Sequence, residues 1–275
     1  MDTETVAAAI CKAAAQLTPI GDTPRLDAEL LMAHALDMPR EMMLLGRMTE
    51  PAPSLFAELV KRRLAHEPLA YITGSRDFWT ISLRVAPGVL IPRPDSETLI
   101  EAAIDHFGAG GPKRVLDLGT GSGALLLASL TEWPEASGIG IDRSAAALAI
   151  ASDNADRLGL AERAVFRSGD WGQGIDETFD LLLCNPPYVE STAQLATDVA
   201  DHEPAEALYA GPEGLDDYRR LAPQIGRLVR PGGIAAVEIG SGQADAVRQL
   251  FDGQGLCCAV CPDLAGRDRC IVVKR

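Results

Sequence analysis

The chain is short of positive charge, poor in cysteine and without a long apolar run, and each shortage removes a class of protein. Lysine and arginine number 25 against 39 aspartates and glutamates, a formal charge of −14 over 275 residues. That average repels a phosphate backbone unless a local basic patch overrides it, which disfavours nucleic acid as a substrate. The longest apolar runs, such as residues 124–130, fall well short of the roughly 20 residues that a membrane span requires. The start, Met-Asp-Thr-Glu, lacks the basic residues of a secretory leader, so a cytoplasmic protein without membrane contact is expected. Six cysteines are too few and too scattered for a disulfide scaffold. Cys258 and Cys261 have ligand spacing, but the apolar run 256–261 before Pro262 reads as a buried strand. The histidines show no metal-site spacing, so no metal is expected.

What is present looks globular, with 47% apolar and 23% charged residues, so a sizeable core can form and wholesale disorder is excluded. A length of 275 residues exceeds the usual span of about 100–200 per domain and suggests one large domain with a small appendage. Residues 1–77 carry helix punctuation and no clear strand. An Ala-rich helix is expected over 6–17. In a second helix Thr23 caps, Pro24 takes the first position, and Leu26, Leu30, Leu31 and His34 share a face. In a third, opened by Ser54, Leu55, Leu59, Val60 and Leu64 point inward and Lys61-Arg62-Arg63 form a solvated end. Over 78–92 the period changes to two, with Ile81, Leu83 and Val85 alternating before an Ala86-Pro87-Gly88 turn into Val89–Ile91, which predicts a linking hairpin. From 93 to 275, Asp95 caps a helix with Leu99, Ile100, Ala103, Ile104 and Phe107 on its face. Strands then alternate with helices, at 115–118, 138–141, 164–167, 180–184, 234–239, 256–261 and 270–274. That alternation is the pattern of a doubly wound α/β sheet covered on both faces.

Four features carry chemistry. Residues 115–124 run from an apolar strand through Gly119, Thr120, Gly121, Ser122 and Gly123 into a helix, so the backbone can approach a ligand closely. The glycine spacing also satisfies a loose dinucleotide pattern, which leaves a nicotinamide oxidoreductase open, and a purely structural turn is the plainer alternative. Asp142 ends the next strand, where its carboxylate can accept from both hydroxyls of a ribose or cap the following helix. Asp170-Trp171 follows the third strand: the indole can stack on adenine or fill core, and the carboxylate can accept from an exocyclic amine. Asn185-Pro186-Pro187-Tyr188 follows the fourth strand at the sheet's carboxyl edge.

That last motif suits a flat NH₂ group. The Asn185 side-chain oxygen and the Pro186 carbonyl can accept its two hydrogens, the prolines stiffen the loop, and Tyr188 can cover the plane. An amide nitrogen is a poor nucleophile because its lone pair is delocalised into the carbonyl. As it attacks a methyl group it gains positive charge, so both acceptor bonds strengthen in the transition state.

These residues resemble the S-adenosylmethionine-dependent methyltransferases of planar amino groups. More narrowly, the chain resembles the glutamine N-methyltransferases of peptide-chain release factors. The resemblance extends through Arg25-Leu-Asp-Ala-Glu-Leu-Leu31, Pro68-Leu-Ala-Tyr-Ile-Thr-Gly74, Leu90-Ile-Pro-Arg-Pro94, Glu203-Pro-Ala-Glu-Ala-Leu208, Gly214-Leu-Asp-Asp-Tyr218 and Glu238-Ile-Gly240. It implies a Rossmann-like methyltransferase sheet of seven strands and a helical amino-terminal domain that helps engage the release factor. It further implies S-adenosyl-L-methionine as cofactor, held by Gly119–Gly123, Asp142, Trp171 and Asn185, and the glutamine of a Gly-Gly-Gln loop as substrate, held by Asn185 to Tyr188. Asp95-Ser96 stands where that family commonly has Glu-Thr, and neither Glu203 nor Glu238 acquires a role from sequence. Methylation of a ribosomal-protein glutamine or of adenine in nucleic acid would use the same Asn-Pro-Pro-Tyr logic. A non-catalytic ribosome- or factor-binding adaptor is the alternative outside enzymes.

Overall fold

The computed structural model describes residues 4–275. Met1–Thr3, on which the reading of the start partly rests, lie outside the described residues. The chain forms two compact units, one comprising Met1–Ser75 with Leu195–His202, the other Arg76–Gln194 with Glu203–Arg275.

In the first unit α1 (Val6–Leu17) is capped by Thr5, whose side chain accepts from the Ala8 amide, and buries Val6, Ala9, Ile10, Ala13 and Leu17 along one face. This is the spacing of a 3.6-residue period. In α2 (Pro24–Ala35) the buried face is Ala28, Leu31, Met32 and Ala33 together with two carboxylates, Asp27 and Glu29. The expected face of Leu26, Leu30, Leu31 and His34 is therefore rotated: Leu26 is 40% exposed and His34 lies at the surface. The cause is ionic. Arg63 donates to Asp27 at 3.0 Å, while Arg25 and Arg40 reach Glu29 at 2.5 and 2.6 Å. Thr23 does not cap; its hydroxyl donates to Asp27 at 3.0 Å. The same pairing corrects the reading of α4 (Leu55–Leu64), where Phe56, Leu59, Val60 and Arg63 face inward, and Leu55 and Leu64 do not. Two short helices, α3 (Arg40–Gly46) and α5 (Leu69–Thr73), were not anticipated.

The second unit opens with a hairpin of β1 (Ser75–Phe78) and β2 (Ile81–Arg84) about Trp79-Thr80, one arm earlier than the sequence suggests. Residues 85–91 form no strand. Then follow α6 (Glu97–Phe107), β3 (Arg114–Leu118), α7 (Ala124–Glu132), β4 (Ser137–Asp142), α8 (Ala145–Arg157), β5 (Ala164–Ser168) and β6 (Phe179–Cys184). The short α9 (Thr197–His202) groups with the first unit, and α10 (Asp216–Leu228), β7 (Val229–Glu238), α11 (Ala244–Asp252), β8 (Cys257–Pro262) and β9 (Asp268–Lys274) complete the second. Asp95 is not the cap of α6. A 3-10 turn, Pro94–Ser96, puts Ser96 at that position, and Asp95 pairs with Arg269 at 3.0 Å.

The sheet order is β5-β4-β3-β6-β7-β9-β8, parallel through β7 and antiparallel at the β9 and β8 edge. Alternation sorts each strand between two faces. Val115, Leu181 and Leu183 join one apolar cluster with α6 and α7, while Leu116, Leu118, Leu182 and Cys184 join another with α10 and α11. This two-sided burial explains why the parallel strands read as continuous apolar runs. β8 is half-exposed rather than buried, because it lies at the sheet edge. Among the described residues no helix is long and apolar enough to cross a membrane.

Truncating Arg63 leaves Asp27 charged among apolar neighbours, a change that typically costs about 3 kcal/mol. Arg63→Ala is expected to speed native-state hydrogen exchange of α2 and α4 amides on the order of a hundredfold. Adding Asp27→Ala should recover part of that loss. Unchanged protection in the single variant would show that the pair does not hold these helices.

Candidate active site

Strand order reverses between β3 and β6, its neighbour on the side away from β4, and the carboxyl ends of parallel strands there open a crevice. The turn after β3 requires left-handed backbone at Gly119, Gly121 and Gly123, with φ of +74°, +55° and +85°. The Gly119 and Thr120 amides donate to the Ile141 carbonyl at 2.8 and 2.9 Å, tying the turn to β4. A side chain at Gly119 would also press on the Trp171 ring, since a Cβ there would sit 3.1 Å from it.

Asp142 ties the glycine turn to the start of α8, whose cap is Ser144. One carboxylate oxygen accepts from the Gly121 amide at 2.9 Å and the other from the Ser144 amide at 2.8 Å. Each oxygen keeps a further lone pair, and Asp142 lines the cleft. Thr120 and Ser122 are buried, however, and the Thr120 hydroxyl donates inward to Asp117 at 2.6 Å. Burial pushes the Asp117 carboxyl up to about 7. Asn154, unnoticed in the sequence, donates to the carbonyls of Ser122 and Arg84 at 2.9 and 3.0 Å and so ties the turn to β2.

Trp171 has φ of +52°, lines the cleft and packs on the second apolar cluster, so the indole serves core and crevice at once. Its Nε1 donates to Asp217 at 3.2 Å. Asp170 lines the cleft too, with both oxygens engaged by Arg220 at 2.5 and 2.6 Å.

The cleft encloses 540 Å³, within the usual range for a small-molecule site. It brings together the glycine turn, Asp142, Asp170, Trp171, Asn185 and Pro187, with Val89, Leu90 and Pro92 on another wall. Pro186 and Tyr188 are outside its lining. Asn185 Nδ2 donates to Ser96 Oγ at 3.1 Å, and Tyr188 donates to Glu238 at 3.1 Å. Burial raises the Tyr188 phenol well above its ordinary value, so it remains a donor.

Glu203 and Glu238, mute in the sequence, acquire structural tasks. Glu203 accepts from the Ile91 amide at 3.0 Å and from Arg93 at 2.5 Å, which fastens the segment carrying Leu90 and Pro92. The partners are 112 and 110 residues away, beyond the reach of any local pattern. Glu238 is fully buried at the end of β7, and burial pushes its carboxyl up to about 7 against hydrogen bonds from Ser96 and Tyr188 and the charge of Arg269. Among the described residues no cluster of three or more His, Cys, Asp or Glu side chains could hold a metal ion.

A Rossmann-like sheet with a glycine turn and an acidic residue at the end of the second parallel strand defines a nucleotide-type site, and comparison narrows it. Residues 111–261 match the family described as methyltransferase domain, and residues 8–74 match the PrmC N-terminal domain. A solved methyltransferase from Pyrococcus furiosus shares the fold, with 16% identity and a TM-score of 0.56 over 79% of this chain and 98% of that one. So does a ribosomal protein L11 methylase from Lactobacillus delbrueckii, with 21% identity and a TM-score of 0.51 over 70% and 84%. The chain is 43% identical to a release factor glutamine methyltransferase of Rhodospirillum rubrum over 92% of its own length and 80% of the relative's. Against that of Caulobacter vibrioides it is 41% identical over 91% and 89%. The chain belongs to the release factor glutamine methyltransferase family.

Glu238 binds its proton more tightly in the folded chain, at about 7, than an ordinary glutamate at 4.5. Its contribution to stability is therefore fully present below the lower value and is lost as pH rises through the higher one. Glu238→Gln cannot ionise, so from about pH 5 to about pH 8 it should lose less unfolding free energy than the parent. Parallel pH profiles in urea melts would exclude this role for the carboxyl.

Proposed function

We propose that the chain transfers a methyl group from S-adenosyl-L-methionine to the side-chain amide nitrogen of the glutamine in the Gly-Gly-Gln loop of peptide-chain release factors. The observation that carries this reading is the Asn185 amide. Its donor end is taken up by Ser96, and none of the described residues donates to its oxygen in a cleft shared with the glycine turn and Asp142. A carboxamide NH₂ needs an acceptor of that kind, and the family membership supports the same substrate.

The residues present suit the cofactor. The open backbone of Gly119–Gly123 admits close approach, the spare lone pairs of Asp142 suit ribose hydroxyls, and the Trp171 face suits adenine. Asp170 adds a carboxylate at the same wall, already shared with Arg220. When bound, the sulfonium supplies an activated methyl group. The protein then has to align the nucleophile and stabilise its developing charge. Asn185 accepts an amide proton from within the cleft, and this bond tightens as nitrogen loses conjugation with its carbonyl. The Pro186 carbonyl, expected from sequence to take the other proton, is outside the cleft lining. Pro186 and Pro187 restrict the loop so that little ordering is left for the moment of reaction. Tyr188 acts from behind the loop through Glu238.

The helical first unit serves to recognise the factor, and the second unit, which carries the hairpin and the cleft, is the catalytic one. The release factor is a protein substrate, no direct nucleic-acid partner is required, and the cytoplasm is the expected location.

Incubation with S-adenosylmethionine and a release factor should add a single methyl mass to the Gly-Gly-Gln peptide. No gain on that peptide would reject the substrate. Asn185→Ala should abolish transfer while weakening cofactor binding much less, and equal loss of both would assign the residue to the other ligand. Asp142→Ala should raise the cofactor Kd by at least about tenfold, given two lost hydrogen bonds to a charged acceptor. Unchanged calorimetric binding would remove it from the ribose site.

A further inference from the structure

The two ends of an asparagine amide have nearly the same shape, and only the oxygen can accept from a substrate NH₂. We propose that Ser96 is a positioning residue that sets the Asn185 amide, its hydroxyl accepting from Nδ2 so that Oδ1 faces the cleft. This rests on the glutamine reading above and adds what holds Asn185 in the orientation that reading uses.

Ser96 is almost wholly buried at the start of α6, and its backbone is fixed because its amide donates to the Arg93 carbonyl at 3.1 Å. Arg93 is in turn held by Glu203. The hydroxyl accepts from Asn185 Nδ2 at 3.1 Å. It owns one proton, and that proton has a better destination than Asn185. Glu238, 1% exposed, takes the Tyr188 hydroxyl on Oε1, while Oε2 has no donor at full hydrogen-bond geometry. That unpartnered Oε2 is the buried acceptor to which the serine proton can turn.

With the serine proton drawn to Glu238, Oγ offers Asn185 only lone pairs. The Nδ2 end satisfies them. The flipped amide would set Oδ1 against Oγ, acceptor against acceptor, and would lose the bond. Glu238 thereby fixes both ends of the Asn185–Tyr188 motif, one through Ser96 and the other directly through the Tyr188 hydroxyl.

The test uses the full chain, S-adenosylmethionine and a release factor. Ser96→Ala should lower kcat about tenfold, the size of one transition-state acceptor bond weakened by misorientation. The cofactor Kd and the KM for the factor should stay within about twofold. Ser96→Thr, which keeps the hydroxyl, should recover most of the loss. In amide-resolved NMR the Asn185 side-chain NH₂ should exchange with solvent faster in Ser96→Ala than in the parent. Parental kcat and NH₂ exchange in a folded Ser96→Ala protein would overturn the proposal. So would a Ser96→Thr variant that folds with the parent's thermal midpoint and is as slow as Ser96→Ala. A parent chain that methylates no glutamine would reject the functional reading, an outcome separate from either.

Discussion

Buried acceptors with no spare donors of their own are the constraint on which this molecule is built. A carboxylate only accepts, so wherever one is buried it dictates which neighbour must donate and which way that neighbour faces. Half-buried Asp142 orders the Gly121 and Ser144 amides, and the buried Glu203 and Asp180 order Ile91 with Arg93 and the amides of Lys113 and Arg114. In each case one carboxylate couples segments remote in sequence. Part of the acidic excess is therefore internal scaffolding, and the formal charge alone overstates what the surface offers a partner.

The sheet supplies the second half of the argument. Reversal of strand order beside β3 separates two crossovers, and the gap between them is where irregular backbone can exist without breaking ladder hydrogen bonds. The glycine turn and the Asn185 loop leave neighbouring strands at the same edge. Register fixes their relation, with Leu118 level with Cys184 across β3 and β6. Two loops that never touch in sequence thereby share one cleft, and no side chain has to travel to bring them together.

Much of this was legible in the residues alone. All seven strands of the sheet were located: the central ones because strands buried on two faces are apolar throughout, the edge strands β5 and β8 from short apolar runs. The failures have a common cause. The faces of α2 and α4 were misjudged because hydrophobic periodicity assigns charges to solvent, whereas Asp27, Glu29 and Arg63 are turned inward as partners. Asp95 was read as a cap from its position before a helix, yet its charge is used by Arg269 far along the chain. The hairpin slipped because β1 carries Ser75, Arg76 and Asp77, a run with no apolar alternation to reveal it. Long-range ionic pairing leaves no local signature.

Tyr188 shows why this matters for chemistry as well as for fold. From sequence an aromatic ring beside Asn185 is a natural lid over a flat substrate. In the structure its hydroxyl is committed to Glu238, a side chain 50 residues on, and the ring is not part of the cleft wall. Burying a phenol and a carboxyl together is costly unless they pair, and here their bond satisfies the phenol and one carboxyl oxygen while anchoring the end of the proline loop. The rigidity of the proline loop thus comes from a buried polar pair outside the cleft lining, and the cleft wall is left to Asn185 and Pro187.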